Sequence, residues 1–593
     1  MDGHSRRRFL RLTARGAGLA VVGRSLGACS GGAGGGGEGS EGAPLSASVP
    51  DAPANAVGTH FAHGVASGDP EPGRAILWTR VTPDAPAPVR LVWEVARDGD
   101  FAAPTHAGVI ATDAESDWTV KIDAIDLEPD TLYHYRFRTD RASSATGRFR
   151  TLPVGEVERA SLAVVSCSNY AAGFFHAYRD IAERDDLLAV LHLGDYLYED
   201  GAGGYATENA ARLGREFDPG NEGELLALAD YRARHATYRR DADLQAMHAA
   251  LPMIAVWDDH EIANNVWAGG ADGHGADEGD FEARRRAARR AWLEWLPVRV
   301  DARAEAPRLF RRFEIGTLVS ISMLDARQHA RDAAVARRDW IDPATGAFDR
   351  DGYARAVADP ARTMLGEAQR EWLVEGWRAS GARWQLLGQQ VLMSEVAVPQ
   401  EMRLDAERRY TPELVAELAG LARRRRAGDP SLDAASLARL GATVPYYADG
   451  WLGYAAERRA LLDAAAELDL DLVVVGGDSH NAWAGRLEAS DGRAVGAEYA
   501  TTAVTSPGLA RVFGVEGVEA AAALEADLAD LIDGVEYCNV RERGYLVVGF
   551  DAERAVGEWV LFDTVVSPDH SRSARGARFE TRPGRVGRRP ARV

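Results

Sequence analysis

Lysine is almost absent from this chain of 593 residues: Lys121 is the only one, and the other basic residues are arginines. Acidic residues outnumber basic residues by 89 to 69, which gives a formal net charge of −20. Proteins that bind nucleic acid through its phosphate backbone need clustered positive charge. The sequence therefore predicts no stable nucleic-acid partner. A small anionic ligand would need a local source of positive charge, and a bound metal is one such source.

Cysteine is also scarce. The three cysteines, Cys29, Cys167 and Cys538, cannot form a disulfide framework in a chain of this length, so each needs its own explanation. Cys538 is interpreted as a buried or half-buried thiol. The length exceeds that of one ordinary domain, and it predicts a large domain with at least one accessory module.

The N-terminus, residues 1–29, has the features of an export signal. Ser5, Arg6, Arg7, Phe9 and Leu10 match the twin-arginine consensus Ser/Thr-Arg-Arg-x-Phe-Leu-Lys. The alternative is an incidental basic patch on a flexible tail. The weakly apolar stretch that follows is too short and too rich in glycine for a stable membrane span. We therefore expect the twin-arginine export machinery to carry the folded protein to the periplasm, the cell surface or the medium.

A lone cysteine ends this signal. Leu26-Gly27-Ala28-Cys29 resembles a lipobox, in which the cysteine is lipidated after cleavage. The alternative is an ordinary cleavage site with a chance cysteine. Residues 30–55, rich in glycine, would form a solvated linker between the lipid and the folded part. Membrane contact is expected only through a lipid on Cys29.

Residues 56–154 predict a small β module. Short strands separated by turn residues are expected at 75–80, 89–97, 119–125, 133–139 and 147–151. The run 127–137 alternates strictly and resembles a fibronectin type III strand with its preceding turn. Alternation means that one face is buried, so we expect a β-sandwich of the fibronectin III or immunoglobulin type.

Residues 158–566 show the pattern of an α/β domain, in which short apolar runs end in polar residues and are followed by amphipathic helices. The polar strand ends include Cys167, Asp195, Asp259 and Asp478. Carboxyl ends of neighbouring parallel strands open into one crevice, so we expect these side chains to lie close together. The tail, 567–593, is rich in Arg, Gly and Pro and is predicted to be disordered.

Gly194-Asp195-Tyr196-Leu197-Tyr198 is the most informative short motif. Gly-Asp-x-x-Tyr resembles the bridging-aspartate and iron-binding-tyrosine motif of purple acid phosphatases. A strand-end aspartate can bridge two metals with its two oxygens, and a phenolate three residues later can reach one of them. The alternative is a capping aspartate and a packed tyrosine.

Two further motifs carry candidate ligands. Trp257-Asp258-Asp259-His260-Glu261 stands where metallophosphoesterases carry Gly-Asn-His, which puts Asp259 in the place of a metal-binding Asn. His260 is then placed to protonate a leaving alkoxide or to hold a phosphoryl oxygen. Adjacent carboxylates are costly to desolvate unless cations compensate them. Asp478 and His480 occupy the place of a Gly-His-x-His motif, and the oxygen ligand shifts the preference toward a harder cation.

Cys167 and Arg327 each have a functional and a structural interpretation. A lone buried cysteine is more often inert packing. Cys167, however, ends a strand beside Asp195, and a thiolate is a strong metal ligand. Arg327 is a candidate bidentate contact to phosphate, and the alternative is a structural ion pair.

In their order along the chain, these motifs resemble the PhoD family of metallophosphoesterases, at 166–168, 191–199, 231–239, 257–261, 324–328 and 477–481. The opening at 63–70 also resembles the start of that family's N-terminal domain. The resemblance implies an α/β fold with a four-layer αββα core, together with alkaline phosphatase and phosphodiesterase activity on small phosphate esters. It further implies Fe(3+) held by Cys167, Asp195, Tyr198 and His480, and Ca(2+) held by Asp195, Asp259 and Asp478.

Two alternatives stay open at this point. One is a two-metal phosphatase of the purple acid or calcineurin type, which uses no calcium. The other is a catalytically inactive surface protein that binds phosphate or glycans through its β module.

Overall fold

The computed structural model describes residues 49–305, 307–404 and 408–593. The export signal, the lipobox with Cys29 and most of the predicted linker lie outside the described residues. Across the described ranges, no helix is both long and apolar enough to cross a membrane.

The N-terminal module is the two-sheet β-sandwich that its alternation predicts. Its strands are β1 Thr59–His60, β2 Val65–Glu71, β3 Arg74–Arg80, β4 Thr82–Pro83, β5 Val89–Ala96, β6 His106–Thr112, β7 Thr119–Ala124, β8 Leu132–Arg138 and β9 Gly147–Arg150. The order β6-β5-β8-β9 forms one sheet, and β2-β3-β7 forms part of another. Leu77 and Val120 from the second group pack with Val95, Tyr135 and Phe137 from the first.

The larger part of the chain supplies the remaining elements. Its strands are β10 Arg159–Val165, β11 Ala189–His192, β12 Met253–Ala255, β13 Val266–Trp267, β14 Gly270–Ala271, β15 Arg311–Ile315, β16 Val319–Met323, β17 Trp384–Gly388, β18 Ala397–Pro399, β19 Thr443–Pro445, β20 Leu472–Gly476, β21 Ala482–Glu488, β22 Ala494–Ala500, β23 Val535–Asn539, β24 Arg543–Asp551, β25 Ala555–Phe562, β26 Arg578–Thr581 and β27 Ala591–Arg592. Its helices are α1 His176–Ala182, α2 Ala210–Leu213, α3 Leu228–Arg239, α4 Ala242–Ala250, α5 Phe281–Trp295, α6 Arg350–Val357, α7 Gly366–Ala379, α8 Glu401–Leu404, α9 Pro412–Arg426, α10 Ala434–Gly441, α11 Ala455–Glu467, α12 Leu509–Val512 and α13 Val518–Leu531.

Two mixed sheets stack face to face and form the centre of the fold. The first has the order β27-β26-β25-β24-β10-β11-β12-β2-β3-β7, and the second has the order β15-β16-β17-β20-β22-β21-β23. Leu191 and Ile254 of the first sheet share a buried cluster with Leu386 and Val473 of the second. The helices α1, α3, α4 and α5 add buried side chains to that cluster.

The outer face of the second sheet is covered by helices. Successive residues of a strand point to opposite faces. Val473 accordingly joins the cluster between the sheets, whereas Val474 packs with Leu373 of α7 and Leu461 of α11. Helices therefore flank both sheets, and the predicted αββα arrangement of four layers is confirmed.

The two predicted domains share a sheet, which the sequence pattern did not predict. Strand β2 of the sandwich pairs in parallel with β12 of the core, at Gly68 and Met253. A Cβ at residue 68 would stand 2.7 Å from the Met253 carbonyl oxygen and closer still to that of Pro297. The close approach requires glycine. The β module is thus an extension of the first core sheet.

The tail differs from its prediction, because residues 567–593 are not disordered. Strand β26 pairs with β25 and with β27, which extends the edge of the first sheet. Phe579 is buried, and Arg588 donates to Asp471 at 2.8 Å and to Asp469 at 3.0 Å. The Arg-rich composition indicated disorder, but the edge of β25 provides backbone partners, and acidic residues of the core provide counter-charges.

Candidate metal centre

The candidate ligands follow parallel strands, as the pattern predicts. Strands β10, β11 and β12 are parallel neighbours in the first sheet, and β17, β20 and β22 are parallel neighbours in the second. Cys167 comes after β10, Asp195 after β11, Asp259 after β12 and Asp478 after β20. The loops that carry these residues meet where the carboxyl ends of both sheets adjoin.

Four of the predicted ligands form one cluster. Cys167, Asp195 and His480 each offer a ligand atom, and these atoms lie within 4.8 Å of one another. The Tyr198 hydroxyl donates to Asp195 Oδ2 at 2.9 Å and lies 3.2 Å from His480 Nε2. The four residues expected to hold Fe(3+) are therefore brought together, from positions more than 300 residues apart in the chain.

Backbone strain marks the same loops. The residues with positive φ include Cys167 at 61°, Asp195 at 53°, Asp478 at 56° and His480 at 59°. Non-glycine residues adopt this region at a cost of about 1–3 kcal/mol each, and they persist there only when their surroundings hold them. Here the N–H of Cys167 donates to the Gly194 carbonyl at 3.2 Å, and the N–H of Ser168 donates to that of Asp195 at 2.8 Å.

Two residues adjoining the ligands fix the loop after β11. Gly194 has a φ of 110°, and a Cβ there would collide with the backbone of Asp258. Glu261 accepts the N–H groups of Asp195 at 3.0 Å, Tyr196 at 2.6 Å and Asp258 at 2.7 Å. Glu261 thereby joins the loops after β11 and β12, which is a positioning role.

A second cluster consists of carboxylates. Asp258, Asp259 and Asp478 bring ligand oxygens within 4.8 Å of one another, and Asp195 with Asp259 and His260 forms a further group. Asp258 Oδ2 and Asp259 Oδ1 are buried, and neither has a hydrogen-bond partner in the described structure. Unpartnered buried carboxylate oxygens are costly unless a cation compensates them. These oxygens fit a hard cation such as Ca(2+).

Arg327 balances only part of the negative charge of this centre. Burial, reinforced by neighbouring carboxylates, raises the pKa of Asp195 and of Asp258 well above the ordinary value, and burial raises the pKa of Asp478 to about 7. Burial and the charge of Asp195 raise the pKa of the Cys167 thiol. A bound cation acts in the opposite direction, because it favours the deprotonated ligands.

The orientation of the His480 ring is compatible with metal binding through Nε2. Its Nδ1 lies 3.1 Å from the Pro507 carbonyl oxygen and 3.2 Å from the Tyr205 hydroxyl, which leaves Nε2 on the side of Tyr198. A ligand histidine usually donates its other ring N–H to such a carbonyl. Burial, with the charge of Arg543, lowers the pKa of His480 to about 3, so the ring stays neutral as metal binding requires.

His260 differs from His480 in its partner. Its Nδ1 lies 2.7 Å from Glu199 Oε2, and its backbone N–H donates to Asp195 Oδ1 at 3.3 Å. Burial opposes protonation, but Glu199, Asp259 and Asp195 outweigh it and raise the pKa of His260 well above the ordinary value. Cations bound by Asp195 and Asp259 would weaken this effect.

Comparison with known proteins agrees with this geometry. The family model of PhoD-like phosphatase matches residues 162–559, and that of the PhoD-like phosphatase N-terminal domain matches residues 46–153. The chain belongs to the PhoD-like phosphatase family. It is 32% identical over 464 residues to alkaline phosphatase D of Bacillus subtilis (strain 168), which covers 76% of this chain and 70% of that relative. A solved structure of PhoD matches at a TM-score of 0.71 and 28% identity, and covers 91% of this chain and 93% of that one. The predicted family is confirmed.

Arg327 of this PhoD-like phosphatase is not exposed to the cavity, where a contact to phosphate would require it. It is completely buried and donates to Asp258, to Asp449 and, at 2.8 Å, to Asp478. Among the described residues it does not line the cavity of the site. Its guanidinium therefore forms ion pairs with carboxylates. This arrangement corresponds to the structural ion pair that was the alternative interpretation of the sequence.

Sequence reasoning missed several residues of the PhoD-like site. Asp449 accepts from both Arg327 and Arg331, yet it lies in a loop without a strand or a periodic pattern. Glu199 holds His260 and forms a potential ligand group with Asp200 and His260. Glu199 and Glu261 both fall inside motifs that carried the family resemblance. Their positions therefore indicated a role in the site, but the sequence did not show which role.

The centre opens into a cavity of about 1000 Å³. Its floor includes Asp195, Asp259, His260, Asp478 and His480. Another part of its lining includes three arginines, Arg337, Arg338 and Arg403. The PhoD-like site thus presents acidic ligand groups and basic side chains to the same cavity.

Proposed function

We propose that this chain is a metal-dependent phosphoric ester hydrolase that cleaves phosphate monoesters and diesters, in the manner of an alkaline phosphatase. Membership of the PhoD-like phosphatase family supports the reaction class. The observation that carries the proposal is the convergence of thiol, phenol, imidazole and carboxylate groups at one strand-end crevice. A small phosphate ester fits this cavity as substrate.

The ligand chemistry supports two kinds of metal. Cys167, Asp195, Tyr198 and His480 would hold Fe(3+), because thiolate and phenolate ligands stabilise that ion. A second set, Asp195, Asp259 and Asp478, would hold Ca(2+), which prefers carboxylate oxygens. Asp258 joins the candidates because its Oδ2 is buried without a partner. Bound metal would supply Lewis acidity that polarises a phosphoryl oxygen and activates water.

The protein side chains supply proton transfer and orientation. His260 lines the cavity and, held by Glu199 through Nδ1, has Nε2 as the nitrogen from which a proton can pass to a leaving alkoxide. Ser506 donates to the Tyr198 hydroxyl at 2.7 Å and so orients the phenol toward the cluster. Glu261 and Gly194 keep the loops of Asp195 and Asp258 in contact.

Strong chelation is expected to remove calcium and activity reversibly, while a visible absorption band survives. A phenolate on Fe(3+) gives charge-transfer colour, and iron with thiolate and phenolate ligands is held more tightly than calcium with carboxylates. The measurements are the visible spectrum, metal content per chain and hydrolysis of a chromogenic phosphate ester before and after calcium is restored.

Tyr198→Phe provides the matched control for this experiment, because it removes only the phenol oxygen and should abolish the band. Colourless active parent protein would contradict the assignment of Fe(3+) to Tyr198. Full activity with zinc or manganese beside iron and without calcium would favour the purple acid type of phosphatase. A metal-loaded parent that hydrolyses no ester would favour the inactive binding protein.

Export and lipid attachment belong to the same proposal and are supported by the sequence of residues 1–29. Cys29→Ser is expected to prevent membrane attachment and to leave turnover unchanged, because the lipobox precedes the folded part. Membrane fractionation and activity of the exported protein check this. A variant that stays as membrane-bound as the parent would refute lipidation at Cys29, and an Arg6→Lys, Arg7→Lys variant that still leaves the cytoplasm would refute the twin-arginine route.

A further inference from the structure

Two arginines on the cavity lining have no carboxylate partner among the described residues. Arg337 begins the 3-10 helix Arg337–Trp340, and Arg403 lies in α8. Both side chains line the cavity that contains the metal centre. Neither forms an ion pair with any described carboxylate, and Arg337 Nη1 and Arg403 Nε are buried without a hydrogen-bond partner. Guanidinium groups in this condition are unusual, because buried charge is costly when unpaired.

Both arginines belong to the lining of the same cavity. Burial, together with the charge of Arg403, lowers the pKa of Arg337. The Arg403 guanidinium lies 4.9 Å from the ring centroid of Tyr446 and 5.2 Å from that of Tyr410, so aromatic rings fix its position. Two cations that line one cavity suit a ligand with more than one anionic group.

Three acidic residues of the lining are already compensated. Glu224 and Glu278 pair with Arg284 at 2.7 and 3.1 Å. Asp449 pairs with Arg327 and Arg331. These three acidic residues therefore have cations of their own, and neither Arg337 nor Arg403 pairs with a described carboxylate. Both guanidinium groups are left for a ligand.

We infer that Arg337 and Arg403 form a subsite for a second anionic group of the substrate, separate from the phosphate that is hydrolysed. The inference rests on the proposed function, because the scissile phosphate is assigned to the metal centre. Neither arginine contacts Asp195, Asp259 or Asp478, whereas Arg327 contacts Asp478 directly. The substrate class is accordingly a bisphosphate, in which one phosphate is hydrolysed and the other is bound by the two arginines.

The test uses alkane-α,ω-diol bisphosphates of three to eight carbons, each compared with its own monophosphate. The parent enzyme should prefer the bisphosphate in kcat/KM at one range of lengths, because only a linker of the right span reaches both sites. In Arg337→Gln and Arg403→Gln this preference should fall by about tenfold, as expected for the loss of a charge-assisted hydrogen bond. The change should lie mainly in KM, and kcat/KM for the monophosphate should stay within about twofold.

Arg338→Gln is the matched control. Arg338 lines the same cavity, but it is 76% exposed and lies 3.9 Å from Asp272 and from Asp339. Its loss should leave the bisphosphate preference unchanged. Equal losses for mono- and bisphosphates would overturn the subsite, since the arginines would then act on the scissile phosphate or on the fold. The absence of a bisphosphate preference at every length would also overturn it. Failure of the parent to hydrolyse any of the esters would instead overturn the proposed function.

Discussion

Cys167→Ser is expected to release iron and to lower turnover by about three orders of magnitude. Serine has nearly the shape of cysteine, but its hydroxyl does not ionise as a thiol does, so the Fe(3+) ligand is lost. Loss of the metal would remove about 4 kcal/mol of transition-state stabilisation. This corresponds to about three orders of magnitude in rate, because each 1.36 kcal/mol is a factor of ten. Iron per chain and turnover with calcium in excess are the two measurements.

Cys538→Ser is the control that separates ligation from packing. Cys538 is also a buried free thiol, but its Sγ lies 3.4 Å from the Glu525 carbonyl and belongs to no potential metal group among the described residues. Its replacement should cost about 1 kcal/mol of stability and leave turnover intact. If Cys167→Ser behaved in the same way, with full iron and normal turnover, Cys167 would be structural and the assignment of the centre would have to be withdrawn.

Asp195→Asn is expected to lower turnover by a similar factor and yet to leave metal-free protein at least as stable as the metal-free parent. Asp195 belongs to both ligand groups, so its loss affects both metals. Without cations, however, it is a buried carboxyl beside Asp259 and Asp478, and burial raises its pKa. Removing the ionisable group relieves the cost of burying it charged or of protonating it. Thermal unfolding with and without metal, together with turnover, tests both parts.

Asp69→Asn is the control, and we expect it to have the opposite effects on stability and turnover. Asp69 is also completely buried, but it accepts from Arg311 at 2.9 Å and from the N–H of Arg299 at 2.7 Å. Its substitution should reduce stability by about 2 kcal/mol without affecting turnover, because it weakens a buried ion pair. A metal-free Asp195→Asn that is destabilised as much as Asp69→Asn would show that Asp195 is structural and does not act as a bridging ligand.

The sequence was most informative where local pattern and topology act together. Each of Cys167, Asp195 and Asp478 follows an apolar strand, and the rule that parallel strands open at one edge places them together. Strict alternation along 127–137 likewise predicted a half-buried strand, and Tyr133, Tyr135 and Phe137 are buried. These features could be predicted because the period of a strand and the position of its end are local properties of the chain.

The sequence by itself therefore determined the family, the layered fold and the residues that converge on the candidate metal centre. Only the tertiary structure decided that Arg327 is enclosed by Asp258, Asp449 and Asp478, that β2 continues the core sheet, and that the tail pairs with β25. Each of these depends on which groups far apart in sequence meet in space. Ion pairs and sheet edges are satisfied by whatever partner the fold supplies, and neither periodicity nor composition specifies that partner.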